Sequence, residues 1–181
     1  MPPPSSQIIW QGDSWYLREE TRRLPDGTAV TCGIVVHPGS VVLVPLRPSP
    51  AGPEILMLRQ YRQTLGQTIL ELPAGTRHWD EVWLDCAQRE LREETGYRAE
   101  QFISLGEIWP APGLTDEVMH IFLAQELTPA PLPGDVDETI EVTPMLLAEL
   151  ETMAQDGRLQ DGKSVVAVWR TAVYLQNRSR S

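Results

Sequence analysis

Three glutamates, Glu90, Glu93 and Glu94, fall within five positions of the run "RELREETG" at residues 89–96. At about 100° per residue, positions i, i+3 and i+4 share one side of a helix. The three carboxylates then repel one another unless something cationic sits among them. Such a cluster reads either as a solvated helix face or as an oxygen-donor set for a hard divalent ion, which keeps several waters and bridges to substrate phosphates. A metal held there polarises phosphoryl oxygens and lowers the pKa of a bound water.

The elements that would position these acids follow from periodicity. A helix fits residues 82–95, with Leu84, Ala87, Leu91 and Thr95 on one stripe and Gly96 where a left-handed C-terminal cap belongs. Glu90 and Glu94 then lie at the edge of the buried face, and Glu93 points further out. The preceding "TILELPAG" (68–75) reads as a strand ending in a tight turn. Residues 7–48 alternate strands with turns at "PDGT" and "HPGS", and 54–62 continues as a strand. Strands resume at 101–108 and 118–126, a Pro-rich loop spans 128–137, and helices fit near 144–156 and 163–176. Mixed strands with few helices point to α/β/α or α+β layering rather than a doubly wound sheet.

Composition bounds the partners. The 181 residues are 41% hydrophobic, enough for one sizeable domain or a core with an appendage. A formal charge of −10 argues against nucleic acid, which needs a basic face. It also means that an anionic substrate requires metal ions or local arginines. No apolar stretch approaches the ~20 residues of a membrane span, and "MPPPSSQ" reads as a frayed end, not a signal peptide. Two cysteines, Cys32 and Cys86, are expected to be unpaired thiols in a reducing cytoplasm. His37, His78 and His120 show no ligand spacing.

From Gly75 to Tyr97 the chain reads "GTRHWDEVWLDCAQRELREETGY". This resembles the Nudix box: Gly75, Glu81, Arg89, Glu90, Leu91, Glu93, Glu94 and Gly96 stand at the required spacing, and Tyr97 departs from the aliphatic residue expected last. The resemblance implies an α/β/α Nudix sandwich with a mixed sheet at about 46–181 and an N-terminal antiparallel β appendage at about 1–45. It implies Glu90 and Glu94 as principal ligands of Mg²⁺ (Mn²⁺ a possible substitute), Glu93 as an additional or water-mediated one, and the Ala74 carbonyl as a backbone ligand. Glu81 would approach the cluster from the helix start, and Arg89 would hold a glutamate in place by a charge-assisted hydrogen bond.

Within that family, "RQYRQTLGQTILELPAG" and "WPAPGLTDE" resemble the ADP-ribose pyrophosphatase branch, whose marker proline has its counterpart in Pro112, 15 residues beyond Tyr97. The resemblance implies hydrolysis of a nucleoside diphosphate linked to another moiety, ADP-ribose above all, with another nucleotide sugar, a dinucleotide or an oxidised nucleotide triphosphate as alternatives and a silent sensor module as the reading from another class. Arg62 and Arg59 fit the branch's arginine-bearing strand, Arg62 being the better diphosphate contact because a guanidinium suits phosphate bidentately. The segment "DVDETIEV" resembles a mobile acidic loop that supplies a general base, Glu138 first and Glu141 second. Glu117 is a weaker candidate for a metal or water contact, and Asp116 reads as structural. Trp10, Trp15 and Tyr16 belong to the appendage, with Ile8 and Ile9, in a segment too short to bury them. A homodimer would cover them and place Trp10, Trp15 or Tyr16 near a nucleobase in the partner's site.

Overall fold

The computed structural model describes residues 5–134 and 139–178. Three strands, β1 (Ser5–Gln11), β2 (Tyr16–Arg23) and β3 (Ala29–Val36), form an antiparallel sheet of their own. The turn between the last two closes through Leu24 N–H to the Thr28 carbonyl and Thr28 N–H to Asp26 Oδ1. Almost nothing in this sheet is buried, and every residue of β1 is exposed.

The second sheet holds β4 (Ser40–Arg47), β5 (Glu54–Arg62), β6 (Gln67–Glu71), β7 (Ala74–Thr76), β8 (Tyr97–Ile108), β9 (Met119–Pro129) and β10 (Ile140–Leu146). Its order is β10-β5-β4-β9-β8, with β6 on β5 and β7 on β4. The sheet is mixed: β4 and β9 run parallel, the other pairs antiparallel. Among the described residues there are three helices: α1 (Trp83–Thr95), α2 (Leu147–Asp156) and α3 (Gly162–Arg178). None among the described residues is long and apolar enough to cross a membrane.

The layering follows from β4. "SVVLVPLR" is an uninterrupted buried run, which in a strand means burial on both faces. Val42, Val44 and Leu46 pack in one core with Leu147, Leu150, Ala167 and Val168 of α2 and α3. Val41 and Leu43 pack in a second core with Cys86, Ala87 and Leu91 of α1. The expected α/β/α arrangement with a mixed sheet and a separate antiparallel β unit is therefore what the chain adopts. The change of sheet comes between Val36 and Ser40, however, and not at 45: β4 is a strand of the main sheet, because both of its faces are apolar and an appendage could cover only one.

Two further expectations are corrected. Leu84 is 49% exposed, so it is not on the buried stripe of α1. The buried face runs through Cys86, Ala87, Glu90, Leu91, Glu94 and Thr95, with Trp83 leading it. That is the i, i+3, i+4 series begun at Trp83, whose ring stacks on His120 at 4.0 Å. Glu90 and Glu94 thus complete the buried face instead of edging it. Gly96 caps the helix at φ 77°, with its N–H on the Arg92 carbonyl. The other correction concerns "DVDETIEV": residues from Ile140 onward belong to strand β10, paired with β5, and not to a loop.

Candidate active site

α1, β7 and the loop between them assemble one acidic cluster. Its centre is the Arg89 guanidinium. Nε and Nη2 donate to the two oxygens of Glu81, each at 2.9 Å. Nη1 donates to Glu90 at 2.6 Å and to Glu93 at 3.0 Å, and Nη2 reaches the Thr76 carbonyl at 3.2 Å. One cation therefore separates three carboxylates that would otherwise repel. The Arg89 bonds hold the Glu81 carboxyl down at about 2, against the opposing effect of burial, and the His78 backbone N–H helps. In return Glu81, ahead of Glu90, raises the affinity of Arg89 for its proton. Burial pushes the Cys86 thiol up, and the nearby acids add to it, so this is an inert packing residue.

Glu94 is turned the other way. Its Oε2 accepts the Ala74 backbone N–H at 2.8 Å, tying α1 to β7 across twenty residues of sequence. The next residue of β7 is Gly75, where a Cβ would stand 1.9 Å from the Glu90 carboxyl carbon. The absence of a side chain is what lets Glu90 lie against the strand.

A divalent ion is what this family of carboxylates would hold, and two features fit it. The donors are all oxygen, as a hard ion requires, and the Gly75 cradle seats Glu90 beside Ala74 and Glu94. Among the described residues no three histidine, cysteine or acidic side chains stand arranged as a ready-made metal cage. Arg89 instead bridges Glu90 and Glu93, while Glu94 is engaged by Ala74. An ion held here would compete with the guanidinium for Glu90 and Glu93.

The other candidates are placed as follows. Arg59 is exposed on β5 and lies directly opposite exposed Glu141 of β10. Arg62, at the end of β5, grips buried Glu71 bidentately, both bonds 2.8 Å. Glu117 accepts the Ser40 hydroxyl at 2.5 Å and lies 3.7 Å from His37 Nδ1, whose protonation burial disfavours despite Glu117 and Asp116. Asp116 accepts the His37 backbone N–H at 2.9 Å. Trp10 and Trp15 pack on each other at 4.5 Å, and Tyr16 stacks on Trp79 of the box loop at 5.9 Å. Pro112 lines a groove of about 570 Å³ between β3 and residues 109–116. Glu138 lies outside the described residues.

Three residues that shape this region carry no local sequence signal. Glu71 and Lys163 are 92 positions apart, so no spacing rule joins them. Arg77 donates to the carbonyls of Pro38, Trp79 and Glu81 and lies over the Trp83 ring at 4.6 Å, fixing the loop that presents Glu81. Its position inside the box was the only available hint.

A cluster of box glutamates around one arginine, on a helix packed against a mixed sheet, defines the class: a family model described as the NUDIX domain matches residues 36–168, and the chain belongs to the Nudix family. It is 33% identical to an ADP-ribose pyrophosphatase of Bacillus subtilis (strain 168) over 166 residues, 91% of this chain and 88% of that one. It is also 33% identical to a methanol dehydrogenase activator of Bacillus methanolicus over 165 residues, 90% and 88% of the two chains. A crystal structure of an ADP compounds hydrolase superposes with a TM-score of 0.82 at 20% identity, covering 98% of this chain and 97% of that chain, a likeness of fold.

Proposed function

We propose that this chain hydrolyses the phosphoanhydride of a nucleoside diphosphate linked to a further moiety, with ADP-ribose and water giving AMP and ribose 5-phosphate. The observation that carries the reading is the set of box glutamates, Glu90 and Glu93 held by Arg89 against Gly75 and Glu94 held by the Ala74 N–H, in a chain one-third identical along nine-tenths of its length to an ADP-ribose pyrophosphatase. A pure binding module has no need of three mutually repelling carboxylates.

Glu90, Glu94 and the Ala74 carbonyl, with Glu93 in addition, are the groups that would hold Mg²⁺, with Mn²⁺ as a substitute. Such an ion neutralises phosphate charge and makes water a better nucleophile. Arg62 and Arg59 would meet the diphosphate, Glu138 would take the proton of the attacking water with Glu141 as the second choice, and Glu117 would add a water contact. The apolar residues of β1 argue for a homodimer: Ile8, Ile9 and Trp10 are each about half exposed, which a second copy would cover. Trp10 or Trp15 would then approach a nucleobase across the interface. The two free cysteines fit a cytoplasmic location.

The test is product analysis with Mg²⁺ on a panel holding ADP-ribose, a second nucleotide sugar and a dinucleotide. Release of AMP with ribose 5-phosphate, fastest for ADP-ribose, is the expected result. Tight binding of ADP-ribose without turnover of any member would instead establish the sensor reading.

A further inference from the structure

Glu71 closes β6 and is 1% exposed. An ionised carboxylate so deeply placed needs cationic partners, and it has two from remote parts of the chain. Arg62 binds both oxygens, Nε to Oε1 and Nη2 to Oε2. Lys163, in the first turn of α3, donates its Nζ to Oε2 at 2.5 Å and to Asp161 at 3.0 Å. The next residue, Ser164, accepts the Leu72 N–H on its hydroxyl at 2.7 Å, so α3 grips Glu71 and Leu72 with consecutive residues. Asp161 caps the same turn through the Ser164 N–H.

The fork-on-fork pair with Arg62 already matches the geometry of Glu71. A second cation on the same carboxylate has a different effect. Lys163 also pairs with Asp161 at 3.0 Å, so the four charges balance, and its effect is to fix the Glu71 carboxylate and with it the plane of the guanidinium. The Arg62 side chain is 35% exposed whereas that of Lys163 is 11% exposed, so the arginine is the member of the network that faces outward. The start of β10 lies beside it, Ile140 being paired with Gln60.

We propose that Lys163 is a positioning residue for the diphosphate: by sharing Glu71 it holds the Arg62 guanidinium in the orientation that meets a substrate phosphate. This rests on the reading of Arg62 as a diphosphate contact given above. Calorimetric titration with ADP, in the presence of Mg²⁺, separates the two. Lys163→Met should weaken ADP binding about tenfold and raise KM for ADP-ribose in parallel, with kcat within about threefold of wild type, on the scale of a lost charge-assisted bond. Lys163→Arg should restore binding, and in an Arg62→Ala background Lys163→Met should add nothing. Equal weakening in both backgrounds, or none in the Arg62-containing protein, overturns the proposal. If Arg62→Ala alone leaves ADP affinity unchanged, the diphosphate role of Arg62 falls and takes this inference with it. Should Lys163→Met not fold, the charge-balanced pair Asp161→Asn/Lys163→Met carries the same measurement.

Discussion

Replacing Gly75 with alanine offers a sharp separation of site chemistry from stability. The added Cβ would stand 1.9 Å from the Glu90 carboxyl carbon and 2.1 and 2.2 Å from its oxygens, where ordinary contact begins at 3.4 Å. The carboxyl must therefore retreat by about 1.5 Å, the difference of 3.4 and 1.9. Because the clash falls on the far end of a flexible side chain, Glu90 can swing aside without moving β7 or α1. What it cannot keep is the 2.6 Å bond from Arg89 Nη1. Losing that bond at a partly wetted site costs about 1–2 kcal/mol, a fall in Tm of about 2–8 °C for a chain of this size. The effect on ion binding should be larger, since misaimed ligands typically lose 10–100-fold in metal affinity. Mn²⁺ titration followed by electron paramagnetic resonance gives that affinity, and differential scanning fluorimetry gives the Tm. A Gly75→Ala protein with wild-type Mn²⁺ affinity and turnover would refute the assignment of Glu90 and its glycine cradle to the metal.

Glu94→Gln keeps an oxygen for the Ala74 N–H but removes a charged donor, so turnover should vanish while Tm stays within a few degrees of wild type. Glu138→Gln should lower kcat by ~10²–10⁴-fold and leave Mn²⁺ affinity intact; a dead Glu141→Gln with an active Glu138→Gln would assign the base to β10 instead. The Glu81 carboxyl titrates at about 2 in the folded chain against an ordinary 4.5. Its contribution to stability is thus complete above about 4.5 and is lost as pH falls toward 2, so Glu81→Gln should flatten the acid limb of a stability–pH curve over that window. Deleting residues 1–36 should yield a folded monomer by light scattering with weakened nucleotide affinity; a wild-type chain that is itself monomeric at micromolar concentration would sink the dimer.

Much of the site was legible because it is local. The box glutamates, Gly75 and Arg89 lie within 23 residues, and one helix turns their spacing into proximity. The doubly buried β4 was legible as a strand, though not as a member of the main sheet, since a β-branched run does not say which sheet it joins. Leu84 was misplaced because a single apolar side chain weighs as much in a pattern as a buried acid. Glu90 and Glu94 are buried by virtue of their partners Arg89 and Ala74, which no hydrophobic periodicity can register. The Glu71–Lys163 contact was invisible for a related reason: it is made by topology, when α3 returns to the edge of β6.

The two cores that meet on β4 have a consequence for how the molecule comes apart. That strand is hydrogen-bonded to β5, β7 and β9 and is packed from both sides, so neither helical layer can melt while the other remains intact. β7, which carries Ala74 and Gly75, hangs directly from it. Thermal loss of activity should therefore track global unfolding in a single step, with no warm, inactive, half-folded species between. The antiparallel unit of β1–β3 stands outside this arrangement. Its backbone bonds to the remainder run through Val35, with Leu114 and Asp116, and amide protons in β1 and β2 should exchange long before those of β4.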